Sequence, residues 1–221
     1  MDAYVYIAGP DDDRCAALFD LVSGIGFTGV SSFRGIAQVS EQIARNPICF
    51  ILCSSVADPR QLRATAAAVR FCDQPSVRFS PLIYLTEHPS IETTMACANM
   101  GFDDVVALPQ SRAQLRERLE HQVGEMKVYY EASGYFGPDR RRNTVSRRDG
   151  ADVRQGGPFR RFELIRDARS GISVMREEMG PADAAVATLQ DRAPLRGVTE
   201  AWPPRISGLA GLVSVRELPA S

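Results

Sequence analysis

Ile48-Cys49-Phe50-Ile51-Leu52-Cys53 is an unbroken apolar run bounded by polar residues. A run that short, with no polar face, fits a central strand of a parallel sheet covered on both sides by helices. The chain around it keeps the same rhythm. Strands are predicted at Tyr4-Val5-Tyr6-Ile7-Ala8, Gly29-Val30-Ser31-Ser32-Phe33, Leu82-Ile83-Tyr84-Leu85 and Asp104-Val105-Val106-Ala107. Amphipathic stretches near residues 12–24, 35–45, 58–71, 90–100 and 111–130 separate or follow them. Asp11-Asp12-Asp13 and Asp58-Pro59 supply helix-start chemistry. Five βα units in this length predict an α/β domain over residues 1–131, built on one doubly wound, five-stranded parallel sheet.

Composition narrows the functional classes. Of 221 residues, 44% are hydrophobic and 24% charged, with a formal net charge of −1, so any electrostatic specificity must be local. The five cysteines are odd in number and lack metal-ligand spacing, which predicts core thiols in a reducing compartment. No secretory leader or spanning segment is read at the N-terminus, and a cytoplasmic location is expected. An enzyme is not expected: His88 and His121 stand apart, and no phosphate loop follows a strand.

The local charge lies between residues 140 and 161, where Arg140, Arg141, Arg142, Arg147, Arg148, Arg154, Arg160 and Arg161 meet only Asp149 and Asp152. The segment states one phrase twice: Gly137-Pro138-Asp139-Arg140-Arg141, then Gly157-Pro158-Phe159-Arg160-Arg161. Lys127 is the only lysine, so arginine identity carries less weight than clustering and repetition. Guanidinium groups take phosphate or a guanine edge bidentately and stack on π faces, which points to a nucleotide. Asp139 would accept from the guanine N1 and N2 edge, and Phe159, its counterpart in the second copy, leaves that half-site without an edge reader.

Over residues 3 to about 125 the chain resembles the receiver domains of bacterial response regulators, with their flavodoxin-like strand order. Pro81-Leu82-Ile83-Tyr84-Leu85-Thr86 resembles the fourth strand with its signalling threonine. Gly101-Phe102-Asp103-Asp104-Val105-Val106-Ala107-Leu108-Pro109 resembles the approach to the lysine-proline of the fifth. The receiver chemistry does not follow. The acidic pair falls near Gly9-Pro10, the phosphoacceptor at Cys53 or Ser54 and the lysine at Leu108, which implies a pseudo-receiver with no metal or cofactor. A register shifted by two residues brings Asp11 and Asp12 toward the acidic pocket without restoring the acceptor.

Tyr135, Gly137, Pro138, Asp139, Arg140, Arg141 and Arg142 are similar to the extension of the Cle group of CheY-like cyclic-di-GMP effectors. The R-x-x-x-R motif of PilZ domains with its sequel is absent. The resemblance implies a cyclic-di-GMP site at those residues with Arg147, Arg148, Gly157, Pro158, Arg160 and Arg161. It implies motility signalling through a flagellar-motor or polar protein docked on the receiver face. Two half-sites suit a ligand that forms an intercalated, pseudo-twofold dimer. The alternative is a scaffold whose arginines bind an acidic protein or nucleic acid, the latter disfavoured by the near-neutral remainder of the chain.

Residues 132–162 are expected to have little fixed structure without ligand, attached to the docking side by a helix running on through Tyr130. Residues 163–221 form a C-terminal extension, read as a hairpin of Phe162-Glu163-Leu164-Ile165 with Ile172-Ser173-Val174-Met175, a helix start at Pro181, and an irregular tail around Trp202.

Overall fold

A computed structural model describes residues 2–139 and 158–180. Five parallel strands, β1 (Tyr4–Ala8), β2 (Gly29–Ser32), β3 (Cys49–Cys53), β4 (Leu82–Thr86) and β5 (Asp104–Ala107), stand in the order β2-β1-β3-β4-β5. The register runs unbroken from Tyr4↔Cys49 to Ala8↔Cys53 at the centre. This is the doubly wound, receiver-like order expected from the sequence.

The apolar run on β3 is explained by what covers it. Cys49, Ile51 and Cys53 pack into one core with Val69, Val77 and Tyr84. Ile48, Phe50 and Leu52 enter the other with Leu18, Leu115 and Leu119. Each large side chain so buried contributes about 1.5–3 kcal/mol, and a polar residue anywhere on this strand would face one core or the other.

The helices are α1 (Asp13–Ser23), α2 (Ile36–Ile43), α3 (Arg63–Arg70), the single turn α4 (Pro75–Arg78), α5 (Ile91–Asn99) and α6 (Arg112–Glu120). Asp12 caps α1 by accepting from Cys15 N–H at 2.9 Å. Asp58 accepts from Arg60 N–H at the start of the 3₁₀ turn Pro59–Leu62 that leads into α3. Ser111 and Gln114 form a reciprocal capping box on α6.

The long final helix expected over residues 111–130 is corrected. Helix α6 ends at Glu120, Gly124 takes φ +85°, and Met126–Ala132 is a strand, β6. The helix is capped at His121, the chain turns through Gly124, and beyond it the pattern changes period: Tyr129 is fully buried while Val128 and Tyr130 stay partly exposed.

Strand β6 belongs to a second, antiparallel sheet with β7 (Tyr135–Pro138), β8 (Phe159–Asp167) and β9 (Gly171–Gly180), in the order β7-β6-β8-β9. The expected hairpin is present and longer than its apolar residues suggested. The extension is therefore not largely irregular where it is described, and residues 135–138 and 159–162 hold fixed positions as strands. Residues 181–221, with the expected helix start at Pro181 and Trp202, lie outside the described residues.

Candidate functional site

At the C-terminal ends of the parallel strands, where a receiver holds its chemistry, the chain places Gly9-Pro10, Cys53, Ser54, Ser55, Thr86 and Leu108. Ser54 N–H donates to Ala8 O at 2.8 Å, which carries the β1–β3 ladder one residue past Cys53. A Cβ on Gly9 would lie 2.8 Å from Ser54 Cβ, closing the space an acidic side chain would need. Cys53 is buried, and burial pushes its thiol pKa well above the ordinary range, leaving it neutral. Thr86 is buried within 3.4 Å of Ser55 Oγ and accepts from His88 N–H. Tyr84 Oη accepts from Val56 N–H at 3.2 Å. Asp12 and Asp13 border the open cleft between the β1–α1 and β3–α3 loops, together with Gly9, Ser55 and Thr65. Among the described residues no three His, Cys, Asp or Glu side chains converge on a metal position.

The second sheet is fastened at the opposite end, beneath the starts of β4 and β5. Asp103, the residue before β5, is the fastening. Its Oδ2 accepts from Arg70 Nη2 at 2.6 Å and Leu82 N–H at 2.8 Å; its Oδ1 accepts from Arg166 Nη2 at 2.8 Å and from Tyr129 Oη. Arg70 also donates to the carbonyls of Gly101, Arg78 and Ser80. Arg166, from β8, donates to Phe79 O and Gln122 Oε1. Both arginines have no exposed surface. Burial alone would raise the Asp103 pKa, but Arg166, Arg70 and the Tyr129 and Leu82 donors outweigh it and hold it below the ordinary carboxylate range. Around this polar centre Phe79, Tyr129, Phe136, Phe162 and Leu164 form a third apolar cluster.

The attachment expected on the docking side, by a helix running on through Tyr130, is thus corrected: strand β6 makes the connection, beneath β4 and β5. Arg70, Arg166, Asp103 and Tyr129 were not singled out in the sequence, because their partners are distant along the chain. A lone arginine in the alanine-rich stretch before Phe71, and another at an inward strand position, were the available signals.

The expected ligand residues divide into three groups. Arg140, Arg141, Arg142, Arg147, Arg148 and Gly157 lie outside the described residues. Tyr135, Gly137, Pro138 and Asp139 form β7 and its end: Tyr135 Oη donates to Pro138 O at 2.7 Å, and Asp139 N–H to Val128 O at 2.8 Å. Gly137 has a packing reason to be glycine, since a Cβ there would lie 2.6 Å from Gly101 Cα and 2.7 Å from Tyr135 Oη. Pro158 is exposed just before β8.

Arg160 and Arg161 are engaged by carboxylates. Arg160 binds Glu177 at 2.5 Å and Glu131 at 3.0 Å and stacks on Phe162 at 5.0 Å. Glu131 in turn binds Arg78 at 3.0 Å, giving a row of alternating charge across α4, β6, β8 and β9. Arg161 binds Glu163 at 2.6 Å and Glu178 at 3.2 Å. The glutamates raise the pKa of both arginines, Glu177 leading for Arg160 and Glu163 for Arg161.

The strands carrying the two Gly-Pro phrases are not related by a twofold. Both pair antiparallel with β6 and so run the same way, and Gly137 lies level with Arg161 across Tyr130. Gly137 of the first phrase is thus level with the last arginine of the second, a residue at a different place in the phrase. A pseudo-twofold ligand finds no matching symmetry in the strands at the two ends of the segment.

No protein-family model matches the chain, and no curated protein matches it. Among solved structures it is similar to the receiver domain of a sensor histidine kinase from Pseudomonas aeruginosa, at 18% identity over 53% of this chain and 94% of that one (TM-score 0.39). It is also similar to a two-component response regulator from Clostridium difficile, at 18% identity over 54% and 93% (TM-score 0.38). A CheY-like receiver domain protein from Methanospirillum hungatei matches at 15% over 54% and 91% (TM-score 0.35). The receiver-like fold follows from the strand order and register themselves. No described helix is long and apolar enough to cross a membrane.

Proposed function

We propose that the chain is a non-enzymatic signalling adaptor: a receiver-like domain that takes no phosphoryl group, with an arginine-rich segment that binds cyclic-di-GMP and gates docking to a flagellar-motor or polar protein. Aspartyl phosphorylation requires a carboxylate nucleophile and a divalent cation. Cys53, Ser54, Ser55 and Leu108 stand where that machinery would be.

The observation that carries the reading is the anchorage of the arginine segment. Its two ends, Asp139 and Phe159, leave and enter a sheet locked to the α/β domain through Asp103. Fixed ends lower the entropy lost when the intervening arginines close on a ligand. The engagement of Arg160 and Arg161 by glutamates supports placing the principal contacts at Arg140–Arg142, beside Asp139. For the protein partner, α5 offers Ile91 and Met95, one turn apart and 75% and 60% exposed.

Calorimetric titration of the full chain with cyclic-di-GMP, linear pGpG and cyclic-di-AMP tests the reading. Saturable binding of cyclic-di-GMP in preference to the other two is expected. No binding of any of the three would leave the scaffold for an acidic protein or nucleic acid in its place.

A further inference from the structure

We propose that β9 is a self-association edge, through which a second copy of this chain extends the four-stranded sheet into a continuous eight-stranded one. Strand β9 ends the order β7-β6-β8-β9, and among the described residues no strand pairs with its outer side. It is ten residues long and exposes Val174, Met175 and Met179 at 42%, 63% and 77%. An edge of that length presents unpaired backbone donors and acceptors, the usual template for strand addition.

The occupant follows from the side-chain order Met175-Arg176-Glu177-Glu178-Met179. Antiparallel pairing about a twofold at Glu177 sets Arg176 opposite Glu178 of the second copy, twice, and brings Met179 of each copy to the bulge at Met175 of the other. Within one chain Arg176 already reaches Glu178 at 2.5 Å, so the seam would join two such pairs into an alternating square. Glu177 meets its own copy on the axis, but Arg160 of each chain holds it at 2.5 Å and offsets the repulsion. A shift of the axis to Arg176 opposes two arginines and sets methionine against glutamate. A shift to Glu178 opposes two glutamates, sets Glu177 against methionine and Arg176 against glycine, and leaves no charge opposite its complement. The charge pattern therefore selects one register.

The bulge where β8 steps from Glu163 to Leu164 leaves Met175 without a partner on β8 and confines the regular seam to Arg176, Glu177 and Glu178. A seam that short gives a weak, concentration-dependent dimer of the small-interface class.

Sedimentation equilibrium of the full chain over a wide concentration range tests the inference. Wild type is expected to dimerise reversibly. Arg176→Glu alone turns each cross-seam pair into two opposed carboxylates, and Glu178→Arg alone turns it into two opposed guanidinium groups, so each variant should self-associate on the order of tenfold more weakly. Mixed in equal amounts, the two variants face each other with complementary charges at both positions and should restore the dimer. Circular dichroism and melting of each variant establish that it is folded. A wild type that stays monomeric throughout, or variants whose mixture associates no better than either alone, would overturn the proposal.

Discussion

Arg70 and Arg166, far apart in the chain, bind the two oxygens of a single carboxylate, that of Asp103. One arginine comes from helix α3 and the other from strand β8, so this carboxylate ties the sheet to the α/β domain. Removing its charge by Asp103→Asn leaves two buried guanidinium groups facing each other, a loss of about 3–5 kcal/mol. Urea unfolding should show it. Combining Asp103→Leu with Arg70→Met and Arg166→Met should cost less than the single change, because no buried charge is then left unpaired.

The same carboxylate sets an acid limit. Its folded pKa lies below the ordinary value, so the stability it contributes is complete above about pH 3.9, the unfolded value, and is lost as pH falls below it toward the folded pKa. Unfolding free energy measured between pH 3 and 6 should fall at the acid end more steeply in wild type than in the Asp103→Leu, Arg70→Met, Arg166→Met variant.

Gly101 and Gly137 touch backbone to backbone where β7 meets the α/β domain. Gly101 has φ +87°, and a Cβ on it would lie 2.3 Å from Phe136 O. Either glycine replaced by alanine should destabilise the fold by about 1–3 kcal/mol, with Gly101 the worse. For Gly137→Ala, any loss of nucleotide affinity should track the fall in melting temperature; unchanged stability with lost affinity would instead make Gly137 a direct contact.

What could be read in the sequence and what could not divide along physical lines. Strand β3 was legible because burial on both faces removes every polar residue from it, and the caps at Asp12 and Asp58 because capping is local chemistry. The false helix past Glu120 has an identifiable source: Leu115, Leu119, Val123 and Met126 continue at helical spacing, and only Gly124 and the alternation around Tyr129 contradict them. The fastening at Asp103 had no local signature at all, since it binds a residue 33 positions before it and another 63 after. Arg160 and Arg161 were legible as cations, but their glutamate partners on β9 became apparent only with the sheet register.

Acetyl phosphate with magnesium should leave the intact mass unchanged, because Cys53 at the end of β3 and Ser54 and Ser55 after it carry a thiol and hydroxyls rather than a carboxylate. Beryllofluoride should likewise cause no spectral change in the α/β domain. A covalent phosphoryl adduct, or a beryllofluoride-dependent shift, would show that another carboxylate, such as Asp12 or Asp13 at the cleft, serves as acceptor.

Arg140→Ala and Arg141→Ala should each weaken cyclic-di-GMP binding by about 1.5–3 kcal/mol, roughly ten- to a hundredfold, and by more than Arg160→Ala or Arg161→Ala. The first pair adjoins Asp139, the carboxylate proposed to read the guanine edge. The second pair starts from a different state. Arg160 must leave Glu131 and Glu177, and Arg161 must leave Glu163 and Glu178, before either can give its full charge to a phosphate. A control separates engagement from distance: Glu177→Gln releases one clamp on Arg160 without touching the first copy. Tighter binding in Glu177→Gln would show that Arg160 reaches the ligand and is held back by its partner. Unchanged affinity there, with a large loss on Arg140→Ala, places the site on the first copy alone. Equal losses from all four alanine variants would mean that the ligand outcompetes the glutamates, and the asymmetry argued from the sheet would fail.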